Sequence, residues 1–171
     1  GSLLQILMIR LLLLTLALLL AGCDTQPQFG NTDISAAGYA TDFALTDHNG
    51  KPRTMADFRG KAVVIFFGYT QCPDVCPTTM TGMAEAMKLL GEDASKVQVL
   101  FVTVDPERDT PQLLAQYVPV FNPSFLGLYA DAQTIARTAQ EFRIFYKKQP
   151  GSTPTTYTVD HTAGSYVYDP Q

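Results

Sequence analysis

Tryptophan is absent from this 171-residue chain, histidine occurs twice and cysteine three times. The missing tryptophan excludes the Trp-Cys active-site surround of ordinary thioredoxins. Three cysteines are too few for a scaffold stapled by disulfides. Charge is scarce as well, at 16% of residues, and 12 Lys plus Arg against 16 Asp plus Glu leave a net charge of −4. The basic field of a nucleic-acid binder is lacking, so no nucleic-acid partner is expected. A hydrophobic share of 46% excludes a disordered, collagenous or coiled-coil chain. The length fits one domain with an appendage, and no internal repeat is visible.

What is present is unevenly spread. Residues 11–20 read Leu-Leu-Leu-Leu-Thr-Leu-Ala-Leu-Leu-Leu. A transmembrane helix needs about 20 apolar residues, whereas a signal-peptide core takes about 7–15. Arg10 supplies the positive flank, and Met8 suits a start codon. Leu20-Ala21-Gly22-Cys23 resembles a bacterial lipobox, in which the cysteine is acylated and becomes the new N-terminus. The expectation is a lipoprotein signal over residues 1–22 with lipidation at Cys23. An uncleaved anchor and an ordinary secretory signal are the alternatives. Asp24 resembles an inner-membrane retention signal. Residues 23–38 read as a polar tether, and residues 39–171 as the folded domain. Each option places that domain outside the cytoplasm, where unprotected thiols tend to oxidise.

The domain alternates strand and helix signals. Phe43, Leu45 and Asp47-His48-Asn49-Gly50 predict a strand entering a turn. Lys61 to Phe67 and Val97 to Val104 are short apolar runs typical of strands covered on both faces. Met80, Met83, Met87 and Leu90 recur at helical spacing from Thr78, and Gly91 stops the helix. Thr110 as N-cap and Pro111 at the first position open a second helix through about Val118. Phe125 to Tyr129 predicts a strand, and Asp131 caps a helix to Phe142. Ile144 to Lys148 and Thr155 to Val159 read as a hairpin, and Ala163 to Tyr168 as the last strand. The expected class is a three-layer α/β fold with a largely parallel core.

Chemistry concentrates in Gly68-Tyr69-Thr70-Gln71-Cys72-Pro73-Asp74-Val75-Cys76-Pro77, between a strand and a helix. Cysteines at i and i+4 share one face of a helical turn, with Cα atoms about 6 Å apart. At that spacing two sulfurs can bond to each other or clamp one soft metal ion. With Pro77 at the first helical position, Cys76 would lie near the positive end of the dipole, which favours thiolate. His161, just before the last strand, offers an imidazole as a third ligand. Two sulfurs and a nitrogen suit copper or zinc. A structural disulfide is the bland alternative.

Tyr69 to Pro77, Val104-Asp105-Pro106-Glu107-Arg108-Asp109-Thr110-Pro111 and Val159-Asp160-His161 together resemble the Sco (SCO1/SenC) family over about residues 38–171. The resemblance implies a thioredoxin-like fold, a central sheet flanked by helices, tethered to a membrane. It implies copper, as Cu(I) or Cu(II), held by Cys72, Cys76 and His161. It implies a metallochaperone that serves the binuclear copper site of cytochrome c oxidase. The implied partners are the oxidase's copper-bearing subunit, an upstream copper donor and a thioredoxin-like reductant. The implied location is the outer, periplasmic face of a bacterial inner membrane. Family members continue past the Asp169-Pro170 turn with a strand and a helix, so the strand from Ala163 is expected at an exposed sheet edge.

The competing function is a thiol–disulfide oxidoreductase in which Cys72 and Cys76 cycle, reducing the acceptor's copper-ligand cysteines. Cys-x-x-x-Cys spacing, rather than Cys-x-x-Cys, speaks against it. A peroxiredoxin-like enzyme is disfavoured because Thr70 lies two residues before Cys72 rather than three. Zinc would need Asp74 or Asp160 as a fourth ligand. The methionines at 80, 83 and 87 read as core rather than a thioether stripe, His48 as an exposed turn residue, and Asp74 as a solvated carboxylate. Asp105 and Arg108 read as supports of the site or contacts for a partner protein, and equally as capping and loop-bracing residues. Phe66, Phe67 and Tyr69 are expected beside the site.

Overall fold

A computed structural model describes residues 1–8, 10, 30–153 and 155–170. It divides into two units, Gly1–Ala37 and Gly38–Gln171. In the first, residues 2–8 are helical and exposed. Among the described residues no helix is long and apolar enough to cross a membrane. The leucine run at 11–20 and the lipidation candidate Cys23 lie outside the described residues.

The second unit is built on a six-stranded sheet. Its strands are β1 (Leu45–Asp47), β2 (Pro52–Arg53), β3 (Ala62–Gly68), β4 (Val97–Thr103), β5 (Leu126–Tyr129) and a late strand, Ser165–Tyr168. A separate two-stranded ribbon joins β6 (Tyr146–Gln149) to β7 (Thr158–His161), so the late strand is β8. The sheet order is β2-β1-β5-β4-β3-β8. β3, β4 and β5 run parallel, while β1 and β8 join them antiparallel. The parallel core expected from two apolar runs is therefore present, with antiparallel flanks.

Helices α1 (Val75–Leu90), α2 (Pro111–Phe121) and α3 (Ala132–Glu141) connect these strands. Strand alternation decides what each face meets. Phe66, Gly68 and Phe101 point toward α1 and α2: Phe101 packs on Tyr117 of α2, and the Cys76 sulfur of α1 lies over Gly68. Phe67 points the other way, onto Phe142 at the end of α3, with ring centroids 5.3 Å apart. The sheet is thus covered on both sides. Ile65, Phe66, Phe67, Leu100, Phe101, Phe125 and Leu128 are fully buried. Each such side chain contributes about 1.5–3 kcal/mol by leaving water.

Local signals set most of the boundaries. Thr110 Oγ1 accepts from Leu113 N–H at 3.2 Å, and Asp131 Oδ1 from Thr134 N–H at 2.9 Å, as N-caps should. Gly91 ends α1 with φ of 56°, a left-handed conformation that suits glycine. Helix α2 continues through Pro119 to Phe121, beyond the expected end at Val118. A proline so near a helix end removes a single intrahelical bond. β8 lies at the edge of the sheet among the described residues. It directs Tyr166 and Tyr168 inward, where their hydroxyls donate to the carbonyls of Phe142 and Ala40. Val167 faces out and is exposed, in line with an open edge.

Three expectations need correction. α1 opens two residues earlier than Pro77 requires, with Asp74 as N-cap, so Pro77 is the third helical residue and Cys76 the second. The hairpin pairs Tyr146–Gln149 with Thr158–His161, placing His161 on a strand opposite Tyr146. The predicted return strand starts too early: Thr156 N–H donates back to Thr153 O at 3.2 Å, and β7 begins only at Thr158. His48 is half-buried, not exposed: its Nδ1 accepts from Gly127 N–H at 2.9 Å, and its own N–H donates to Gly127 O at 2.8 Å.

Two predictions follow from this packing. A Cβ at position 68 would sit 2.8 Å from Cys76 Sγ, 2.9 Å from Phe101 Cε2 and 3.0 Å from Phe66 Cε1. Gly68→Ala should therefore lower unfolding free energy by about 1–3 kcal/mol in denaturant titration; an unchanged midpoint would count against such close packing. Burial holds His48 below the ordinary histidine range, although the Asp47 charge opposes this. A depressed folded-state pKa adds stability above the unfolded value, about 6.5, that is lost as pH falls through the folded one. Removing the imidazole in His48→Ala should flatten the acid side of the stability–pH curve. A curve as steep as the parent's would rule that contribution out.

Candidate metal centre

The parallel pair β3–β4 carries two connections out of the same sheet end, where open α/β sheets hold their ligands. One runs from Gly68 into α1 and contains Cys72. The other runs from Thr103 to Thr110 and contains Asp109. Asp109 is buried and accepts three hydrogen bonds, from Thr70 N–H at 3.0 Å, Thr70 Oγ1 at 2.6 Å and Thr103 Oγ1 at 2.7 Å. Its carboxylate fixes the first connection to the second. Burial nonetheless pushes the Asp109 carboxyl up, against these donors.

The fixed turn presents Cys72 half-buried and Cys76 fully buried, both as free thiols. Cys72 N–H donates to Tyr69 O at 3.3 Å, and Cys76 N–H points at Cys72 Sγ at 3.4 Å. β7 brings His161 in from the opposite direction, with Nε2 3.4 Å from Cys76 Sγ. The two sulfurs and an imidazole nitrogen all lie within 4.8 Å of one another. Among the described residues these three form the one such cluster of potential ligands.

His161 Nδ1 lies 3.0 Å from the carbonyl of Thr162. A proton on Nδ1 would be donated there, leaving the Nε2 lone pair directed at the sulfurs. The ring is held edge-on by Phe66 and Tyr69, with centroids 6.1 and 5.9 Å away. Tyr69 Oη accepts from the N–H of Val159 on β7 at 3.2 Å, tying the turn to the histidine strand.

The electrostatics depart from expectation at Cys76. Burial pushes its thiol well up, and the neighbouring Cys72 and Asp109 charges act in the same direction. The helix dipole supplies only about 0.3–1 kcal/mol, while burying a whole ionisable group has a several-fold larger effect. The depth of Cys76 thus works against thiolate more than its helix position works for it.

Other candidates are sorted by the same geometry. Asp74 is exposed and accepts from Thr78 Oγ1 at 3.5 Å, while Asp160 is exposed and bonded to Gln149 at 2.6 Å. Neither joins the cluster that a fourth zinc ligand would require. Met80 and Met87 are core residues, with Met83 packed against them. Phe67 lies on the opposite sheet face, unlike Phe66 and Tyr69. Asp105 and Arg108 brace loops, with Arg108 Nε donating to the fully buried Asp105 at 2.5 Å. Asp109, Thr70, Thr103 and Gly68 received no role in the site from sequence, although Gly68, Thr70 and Asp109 lie within its motifs. Their packing around the turn marks them, and no residue spacing encodes that.

Comparison with known proteins accords with this arrangement. The SCO1/SenC family model matches residues 31–171. A mitochondrial SCO2 homolog from Bos taurus is 41% identical over 131 residues, covering 75% of this chain and 49% of that protein. The chain therefore spans about half the length of the curated relatives it first matches. The structure of Bradyrhizobium japonicum ScoI with copper bound aligns with a TM-score of 0.71 and 45% identity, covering 75% of this chain and 81% of that one. Copper-bound yeast Sco1 aligns with a TM-score of 0.68 and 33% identity, covering 75% and 72% respectively. These neighbours share the thioredoxin-like arrangement of a central sheet flanked by helices. A chain whose own sulfurs and imidazole converge in this way, matched over most of its length, belongs to the SCO1/SenC family.

Proposed function

We propose that this protein is a copper metallochaperone that carries the ion on Cys72, Cys76 and His161. The observation that carries the reading is the convergence of three soft donor atoms within 4.8 Å, with no fourth ligand among the described residues. Thiolate and imidazole suit copper. Copper is cargo here, and a three-donor site leaves a coordination position through which an acceptor's ligand can enter. Cys72 and His161 are each partly exposed, so this side of the site is open to such an acceptor. Cys76 forms the buried floor. Its thiol must release a proton on loading, so uptake weakens as pH falls.

The acceptor in this reading is the copper-bearing subunit of cytochrome c oxidase, and an upstream donor supplies the ion. The names of the relatives support the family relationship, and copper in the bound neighbours supports the cargo. The location proposed is the outer face of a bacterial inner membrane, with Cys23 as the lipid attachment point. One solved relative, a family member from Bacillus anthracis, is described as a lipoprotein.

The proximity of the sulfurs favours a second reading. The two sulfurs lie within 4.8 Å of each other, so the pair is placed to close a disulfide, passing two electrons and two protons to an acceptor's disulfide as it closes, with a thioredoxin-like reductant reopening it. His161 has no part in that cycle.

Substitution of the histidine separates the two. His161→Ala should weaken copper binding by about a hundredfold or more, beyond the effect of typical outer-sphere partners, and abolish the parent's thiolate-to-Cu(II) absorption pattern. Disulfide cycling should persist. Copper affinity that survives the substitution would overturn the three-ligand assignment. Both readings need the cysteines kept reduced by a thioredoxin-like partner. Loading in air should therefore require added reductant, and equal loading without it would remove that partner from the scheme.

A further inference from the structure

We propose that Arg108 is the positioning residue that closes the metal site, by joining the cysteine turn to the arm that carries His161. The inference rests on the reading of Cys72, Cys76 and His161 as the ligand set. The arm, β6–β7, is a two-stranded ribbon separate from the main sheet. A ribbon of that kind is marginal on its own, so something outside it must fix the histidine.

Arg108 is placed to do so. Its Nε donates to Asp105 Oδ2 at 2.5 Å, which anchors the guanidinium in its own loop. Its Nη1 donates to the carbonyl of Tyr157 at 2.8 Å, immediately before β7, and approaches the carbonyl of Thr155 at 3.4 Å. The same nitrogen approaches Gln71 Oε1 at 3.3 Å, one residue before Cys72. The guanidinium carbon lies 3.6 Å above the Tyr157 ring and 5.7 Å from that of Tyr69. Tyr157 Oη donates to the other oxygen of Asp105 at 2.7 Å, completing the loop of contacts. The Asp105 side chain is fully buried, and that of Arg108 is only 12% exposed.

One planar cation thereby reaches the cysteine turn, the entry to the histidine strand and its own loop. Other ties hold the arm as well. Val159 is buried in the core and its N–H meets Tyr69 Oη, the His161 ring packs on Phe66 and Tyr69, and Lys148 pairs with Glu107 at 2.5 Å where both side chains are exposed. An exposed pair of that kind holds little. Lysine cannot replace Arg108, because stacking and divergent donors need the planar fork.

The test compares Arg108→Met, Arg108→Lys and His161→Ala in the full chain, with and without copper. In the metal-free protein, magnetisation transfer between the His161 and Tyr69 rings, 5.9 Å apart here, should be lost in Arg108→Met while the sheet resonances persist. Cu(II) affinity should fall about 10–100-fold, as for other outer-sphere partners, and Arg108→Lys should recover little of it. Adding Arg108→Met to His161→Ala should cost almost nothing further, since the arm then has no ligand to place. Unchanged ring contacts and affinity, or losses that add in full, would overturn the proposal. If Arg108→Met does not fold, Tyr157→Phe removes only the hydroxyl bond to Asp105. A severalfold affinity loss is expected there, and parental affinity would overturn the proposal. Parental copper affinity in His161→Ala would instead defeat the ligand assignment, while the metal-free ring contacts would still decide the clamp.

Discussion

Seven consecutive parallel pairs, from Ala62 opposite Val97 to Gly68 opposite Thr103, hold β3 against β4 and end both strands at one level. Everything chemical in the molecule depends on that shared level. It sets the turn after Gly68 beside the loop after Thr103, so that a buried carboxylate from one can accept hydrogen bonds from the other. The apolar residues of both strands make the pairing stable, because Phe66 and Phe101 are neighbours in register and buried on the same face. The site is therefore an outcome of core packing rather than an addition to it.

The balance of forces at Cys76 explains why the site favours a soft cation over bare thiolate. A sulfur placed on the inner side of α1, over backbone and phenylalanine, gains little from the helix dipole and loses its hydration. Charge there becomes acceptable when a positive partner sits between it and the more exposed Cys72. Burial thus disfavours bare thiolate at the floor of the site, and the rim supplies access.

Much of the fold could be read from residue patterns because its signals are local. Thr110 and Asp131 cap helices through bonds that span three residues, and Gly91 ends a helix by its own conformation. The three side chains that converge were also readable, since Cys72 and Cys76 are neighbours on one turn and His161 belongs to a recognisable segment. What could not be read depends on distant pairing. The ribbon pairs Tyr146 with His161 and Gln149 with Thr158, a register that an alternation of apolar residues does not reveal. His48 looked like a turn residue because its partner, Gly127, is far away in sequence. The expectation of an activated Cys76 relied on helix position alone and could not weigh the depth at which that helix packs.

The bare backbone at Gly68 carries a consequence for how this protein can vary. A Cβ there would meet one sulfur and two aromatic rings, and the nearest of them is the sulfur. Even a methyl admitted at 68 therefore requires Cys76, Phe66 and Phe101 all to give way. The packing behind the sulfur thus responds to change as a single unit rather than residue by residue.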